Sequence, residues 1–324
     1  MSYIPPFKIT PLILKNSQKI SRELGIIFGR KIAEIPLKLR RENNIKSIQA
    51  SLAIEGNTLT LNQITDILEG KRVIGPPKDI LEVKNALSLY GNLKIFDPLK
   101  INDLLQAHTI LMENLTDENG KWRSGAVGIF KGKEVSHVAP PAKRVPELMR
   151  DLFDFLVKNK EISWIIKACI FHYELEFIHP FADGNGRIGR LWQQLILMKE
   201  DPFFEYIPLE ALVKDNQAEY YQALGESDRL GESTPFIEFS LNIIDAALIS
   251  YSQVPPPLPK DSFSRLNYAK SRILKEWFSR KNYIEIHKDI STSTASRDLL
   301  FGIEKGILKS RGRKNQLHYY FLNE

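Results

Sequence analysis

The stretch His179-Pro180-Phe181-Ala182-Asp183-Gly184-Asn185-Gly186-Arg187-Ile188-Gly189-Arg190 lies between the two strongest helical patterns in the chain. Ahead of it, Ile162, Ile165, Ile166, Cys169, Ile170, Tyr173 and Phe177 recur at three- and four-residue steps, the spacing of a central buried helix. Behind it, Ile188, Leu191, Trp192, Leu195 and Ile196 repeat that spacing. Proline after His179 disfavours the helical region for the histidine, so the first helix stops there. The imidazole, which titrates near neutrality, then projects from a loop as a general base. Gly184-Asn185-Gly186 can take positive φ and leads into a helix whose first amides lack intrahelical partners, a nest for phosphate oxygens. Arg187 and Arg190, three residues apart, share a face of the first turn. Cations are disfavoured at a helix N-terminus, so a multiply charged anion is the expected compensation. Asp183, a hard oxygen ligand just before the nest, suits a magnesium ion shared with a polyphosphate. No Walker-type Gly-Lys-Ser/Thr sequence is present, so the site is not a P-loop.

Outward from this loop the chain reads as mainly α. Ile101, Leu104, Leu105, His108 and Leu111 share a helical face, and further helices are predicted over roughly 12–34, 44–54, 60–69, 79–95, 145–158, 215–227 and 235–251. Only Ala126 to Ala139 reads as extended, with a Lys131-Gly132-Lys133 turn that predicts a hairpin. Val254-Pro255-Pro256-Pro257-Leu258-Pro259-Lys260 forms a stiff extended spacer, which places a proline-rich linker at 254–262. Past it, a helix around 265–280, a serine-capped helix starting near Ser291, and two strands near Leu308 and Tyr319 outline a winged helix over 263–324. No internal repeat is visible.

Composition bounds the function. With 324 residues, 43% hydrophobic and 26% charged, the chain has globular composition and room for about two domains. Disordered and low-complexity scaffolds are excluded. The single cysteine, Cys169, leaves nothing that needs an oxidising compartment, and no apolar run is long enough to cross a bilayer. The expectation is a cytoplasmic protein with no membrane partner. Fourteen Lys and Arg against seven Asp and Glu from Lys260 to Glu324 give +7, so the chain's net +6 resides entirely in its last fifth. Arg297, Lys309, Arg311, Arg313 and Lys314 are therefore candidate nucleic-acid contacts, with DNA as a candidate partner.

Residues 179 to 190 resemble the signature of the Fic-domain proteins, His-Pro-Phe-x-Asp/Glu-Gly-Asn-Gly-Arg-x-x-Arg, at every fixed position. The resemblance covers roughly residues 45 to 250. It implies a Fic-type helical bundle with a β-hairpin flap: an N-terminal helical region over 1–100 and a catalytic domain over 101–253. It also implies a protein adenylyltransferase, moving AMP from ATP, with Mg2+, to a Ser, Thr or Tyr hydroxyl of a target protein. Carried over by position, His179 is the catalytic base and Asp183 the metal ligand. Asn185 and the amides of Gly184 and Gly186 hold the α-phosphate, Arg187 meets the β- and γ-phosphates, and Arg190 binds the γ-phosphate. Doc-type relatives, which transfer phosphate, carry Lys where this chain has Gly186. Homodimers are common among relatives, although no interface is legible in this chain.

Ser51-Leu52-Ala53-Ile54-Glu55-Gly56-Asn57 resembles the inhibitory motif of the same family, on a helix over about 44–56. The resemblance implies that Glu55 pairs with Arg190, in bidentate fashion where both oxygens engage, and displaces the γ-phosphate. In some relatives the same glutamate drives removal of AMP, so inhibition and de-AMPylation stand side by side. The hairpin resembles the family's target-docking flap, with Phe130, His137 and Val138 as candidate contacts. His108 and His172 read as packing histidines and Cys169 as core. A DNA-binding regulator with a nucleotide-sensing site is the alternative from a different class.

Overall fold

The computed structural model describes residues 3–29, 37–126, 128–131, 134–252, 261–273, 276–313 and 317–322. The chain divides into two compact units, Met1–Pro255 and Pro256–Glu324, a boundary inside the predicted spacer. Residues 253–260 of that spacer lie outside the described residues.

Unit 1 comprises α1 (Pro11–Gly29), α2 (Leu37–Ile54), α3 (Leu61–Leu68), α4 (Pro77–Tyr90), α5 (Ile101–Leu111), the hairpin β1 (Gly128–Lys131) and β2 (Glu134–Val138), α6 (Val145–Lys158), α7 (Trp164–Ile178), α8 (Asn185–Glu200), α9 (Leu209–Asp215), α10 (Gln217–Leu230) and α11 (Thr234–Ser252). Helices α7 and α8 form its centre and are buried along nearly their whole length, as helices apolar on most sides must be. Ser163 starts α7 by accepting a hydrogen bond from Ile166 N, and Thr60 with Gln63 closes a capping box on α3. One hydrophobic core runs from Ile13 to Tyr251, so the segment before residue 101 and the segment after it share a single interior.

Several boundaries differ from the periodicity. Helix α2 begins at Leu37 rather than 44, and the helix expected over 79–95 stops at Tyr90, with a separate 3-10 turn at Leu93–Ile95. The helix predicted over 215–227 is α10, and a further short helix that the periodicity did not give, α9, precedes it; the two are parted at Asn216, whose side chain donates to Leu212 O at 2.8 Å. That local bond satisfies a helix-end carbonyl and favours a break. Helix α1 is described to Gly29, and the rest of the predicted 12–34 lies outside the described residues.

Unit 2 holds α12 (Ser262–Lys270), β3 (Phe278–Ser279), α13 (Arg280–Ile286), α14 (Thr292–Glu304), β4 (Leu308–Arg311) and β5 (His318–Phe321). The single helix predicted over 265–280 is thus cut short at Lys270, and a third strand appears in a sheet of order β3-β5-β4. Phe278 explains the change: it packs on Tyr319 and Phe321 across the sheet, with ring centroids 5.8 and 5.1 Å away. Leu266, Leu299, Leu308, Tyr319 and Phe321 share its core. Inside that core Arg265 grips Asp298 with two bonds of 2.6 and 2.7 Å, and Tyr283 adds a third at 3.3 Å. Breaking a buried pair strands a charge at a cost of about 3–5 kcal/mol. Arg265→Ala is therefore expected to destabilise unit 2 by about that amount, read as faster amide hydrogen exchange across α14.

Candidate active site

The loop between α7 and α8 is held by its own backbone and by residues from four other segments. His179 caps α7 in the left-handed region, φ 50° and ψ 61°, with its N–H donating to Leu175 O at 2.9 Å. That conformation is rare for a residue with a Cβ. Arg123 secures it: Nε donates to His179 O at 2.7 Å and Nη2 to Ile178 O at 3.3 Å, while its own N–H donates to Pro180 O at 2.9 Å. The same guanidinium donates to Gly125 O and Pro140 O, on either side of the β1–β2 hairpin. His179 Nδ1 lies 3.3 Å from Glu176 O. A carbonyl only accepts, so Nδ1 carries the proton and Nε2 is the basic nitrogen.

The rest of the loop is stapled from within. Asn185 Oδ1 accepts from Phe181 N and Nδ2 donates to Phe181 O, both at 2.9 Å. The side chain of Asn185 is thus spent on shaping the loop. Gly184 sits at φ 85°, and a Cβ there would lie 2.8 Å from Met112 Sδ, so only glycine fits. Beneath it Gly120 N donates to His108 Nδ1 at 2.9 Å, which fixes the other nitrogen as N–H, donating to Asp183 O at 2.9 Å. The ring also stacks on Phe181 at 3.7 Å. Burial pushes the His108 imidazole down to about 4. His108, expected to be packing alone, is a neutral strut with both nitrogens in use.

Two arginines face this loop, both nearly dry. Arg187 donates from Nη2 to Asp183 Oδ1 at 2.9 Å and from Nη1 to Glu82 Oε1 at 3.1 Å. Arg190 donates from Nε to Ser51 Oγ at 3.1 Å, and from Nη2 to Ser51 O at 2.9 Å and Glu55 Oε1 at 2.8 Å. The expected bidentate pair is therefore a single-oxygen pair, and Ser51 takes the other positions of the fork. Burial disfavours the Arg190 charge, but Glu55, Tyr220 and Glu176 together outweigh it and hold the guanidinium above its ordinary range. Gly186 has a second reason to lack a side chain, because a Cβ there would collide with Glu55 Oε1.

Of the predicted site residues, the structure brings together Ser51, Glu55, Asp183, Gly184, Asn185, Gly186, Arg187 and Arg190, with Asn57 bonded to Glu82 behind them. Phe130, His137 and Val138 lie on the hairpin, whose register pairs Gly128 with Val138 and slips between Ile129 and Phe130; their side chains are outside what is described. His172 is bonded on both nitrogens, to Gln193 at 2.6 Å and Tyr220 at 3.1 Å, and Cys169 is buried as expected. Periodicity missed Glu82 and Arg123 because neither belongs to a local pattern. In unit 2, Arg297 and Arg313 are exposed, Lys314 lies outside the described residues, and Lys309 and Arg311 fold over aromatic rings. The Lys309 ammonium is 4.7 Å from the Tyr320 centroid and the Arg311 guanidinium 4.1 Å from that of Trp277.

A helical protein with a glycine-bearing loop at a helix N-terminus, a histidine on that loop and two guanidiniums beside it is the class that fold and site define. Residues 98–197 match the Fic/DOC family. A crystal structure of a Fic family protein from Desulfovibrio desulfuricans G20 superposes with a TM-score of 0.75 at 38% identity over 99% of both chains. The chain belongs to the Fic family. It is 31% identical over 226 residues to protein adenylyltransferase fic-1 of Caenorhabditis elegans, covering 66% of this chain and 42% of that protein. It is 30% identical over 256 residues to protein adenylyltransferase Fic of Nematostella vectensis, covering 75% and 57%. The chain thus spans about half the length of the curated relatives it matches. Among the described residues no helix is long and apolar enough to cross a membrane.

The His108 strut carries a pH signature. An unfolded histidine takes up its proton near 6.5 and this one only near 4, so its contribution to stability is complete above 6.5 and is lost as pH falls toward 4. His172, which burial pushes to about 3, acts with the same sign. Urea midpoints are expected to drop between pH 7.5 and pH 5, and to drop less in His108→Asn.

Proposed function

We propose that the chain is a protein adenylyltransferase restrained by its own Glu55. The observation that carries this is the contact of Glu55 with Arg190 beside the loop from His179 to Gly186. The names of relatives at about 30% identity support the same activity. His179 Nε2 takes the proton from a target hydroxyl, whose oxygen attacks the α-phosphorus of ATP. The new O–P bond forms as the bond to the β-phosphate bridging oxygen breaks, and pyrophosphate leaves. Arg187 and Arg190 neutralise the leaving group, and the amides of Gly184, Asn185 and Gly186 hold the α-phosphate.

Among the described residues no group of three or more His, Cys, Asp or Glu could cage a metal, and Asp183 offers one carboxylate on a side chain 50% exposed. That donor set fits Mg2+, which keeps waters and binds through one or two carboxylates plus substrate phosphates. Asp183 would hold it, and the ion would supply charge neutralisation along the triphosphate.

A hydrogen-bonded charge pair nets about 1.5–3 kcal/mol, one to two decades in population. The brake therefore damps the enzyme and leaves a residual rate. Transfer of label from α-labelled ATP to the protein itself tests this. Glu55→Gly is expected to raise labelling at least about tenfold, and adding His179→Ala should return it to background. No label from Glu55→Gly, with ATP bound, would move the reading to removal of AMP.

A second reading concerns unit 2. Lys309 pairs across the sheet with Tyr320 and Arg311 with His318, so cations and rings share one face, with Trp277 and Tyr320 5.5 Å apart. Basic side chains beside stackable rings suit single-stranded nucleic acid. Binding of a labelled oligonucleotide to the full chain should weaken steeply with salt, and Lys309→Ala with Arg311→Ala should lower the salt slope by about 2. An unchanged slope would sink this reading.

A further inference from the structure

Arg187 is aimed by a carboxylate that belongs to no motif. Glu82 lies within α4 with its side chain 8% exposed, and it divides its oxygens. Oε1 accepts from Arg187 Nη1 at 3.1 Å, and Oε2 accepts from Asn57 Nδ2 at 2.8 Å. Asn57 stands two residues after Glu55, so one buried carboxylate touches both the phosphate-site arginine and the turn that carries the brake. The turn is fastened further along: Asn57 Nδ2 donates to Asp79 O at 3.1 Å, and Thr58 donates from N and Oγ1 to Asp79 Oδ2 at 2.8 and 2.7 Å.

The alternatives for holding Arg187 are few. Its Nε is buried with no hydrogen-bond partner among the described residues. Its other carboxylate, Asp183, is half-exposed and stands where a cation and phosphates would compete for it. Glu82 is the one dry anchor of the guanidinium among the described residues. Lys78 approaches Glu82 only at 3.9 Å and is itself mostly exposed.

We propose that Glu82 is a positioning residue of the phosphate site, which aims Arg187 at the β- and γ-phosphates and ties that aim to the turn bearing Glu55. This rests on the adenylyltransferase reading above. A buried ion pair adds geometry more dependably than net stability, and a guanidinium held in a set direction loses less freedom on meeting its anion. The shared carboxylate also couples the two ends. Whatever draws Arg187 from Oε1 changes the charge that Asn57 feels at Oε2, and coupling of this kind is reciprocal.

ATP affinity and self-labelling, measured on the full chain, test the two limbs separately. In the Glu55→Gly background, Glu82→Gln is expected to lower the melting temperature, since Arg187 loses a buried counter-charge, and, in protein that remains folded, to weaken ATP binding at least fivefold. Asn57→Ala in that background should change ATP affinity by less than Glu82→Gln does, because Glu82 still accepts from Arg187 and has lost only its second donor. With Glu55 present, Asn57→Ala should raise labelling toward the Glu55→Gly level, because only the brake has lost its fastening. Where Glu82→Gln disturbs folding, Glu82→Asp keeps the charge, shortens its reach and should give an intermediate affinity. Unchanged or tighter ATP binding in the folded Glu82 variants would overturn the proposal while leaving the adenylyltransferase reading intact. Failure of Glu55→Gly itself to bind ATP would overturn both.

Discussion

Two guanidiniums are held nearly dry in the first two turns of α8, with Arg187 5% and Arg190 4% exposed, near the end where the helix dipole is positive. No packing arrangement removes that repulsion; it has to be met by negative charge brought from elsewhere in the chain. Glu82 arrives on α4, Asp183 on the loop and Glu55 at the end of α2. The convergence of α2, α4 and α8 at one point is therefore an electrostatic requirement as much as a hydrophobic one. Under the proposed function a polyphosphate would supply its own charge there, and one of these carboxylates would become redundant.

Which one is redundant follows from how each is held. Glu82 is locked between two donors, whereas Glu55 is 34% exposed on its side chain and touches Arg190 through one oxygen. Ser51 makes the difference effective. Its hydroxyl and carbonyl both accept from Arg190, so the guanidinium keeps its direction when Glu55 turns away. On the proposed function, a serine at that place would keep the arginine bonded while the carboxylate is exchanged for phosphate, and α2 would not need to leave the core. The exchange can be a side-chain movement.

The loop from His179 to Arg190 is legible because its residues are contiguous: glycines, histidine, carboxylate and arginines stand within twelve residues of one another. Helix α6 could be read to the residue, 145–158, because its apolar face is regular. Glu82 was not legible, since a buried glutamate on a helix looks in sequence like any solvated one and its partner stands 105 positions away. The tautomer of His108 depends on Gly120 N and Asp183 O, neither of which is part of its helical pattern. In unit 2 the apolar run through Trp277 and Phe278 satisfied helical periodicity, but cross-strand packing on Tyr319 and Phe321 decided otherwise. In each miss a long-range contact overrode a local preference.

Arg123 carries the same logic to His179, the proposed base. Left-handed backbone at His179 persists only where its surroundings over-determine it, and the arginine does so with a fork that a lysine's point charge could not match. All of its recorded acceptors are carbonyls: Ile178 and His179 at the end of α7, and Gly125 and Pro140 flanking the hairpin. Burial accordingly lowers its pKa from the usual arginine range, with dipoles in place of a counter-ion. The two structures joined by this one side chain are the strand pair that would register a target segment and the residue that would take its proton. A base and a docking edge anchored to the same guanidinium hold their separation, and that separation is what an in-line attack on a phosphate requires.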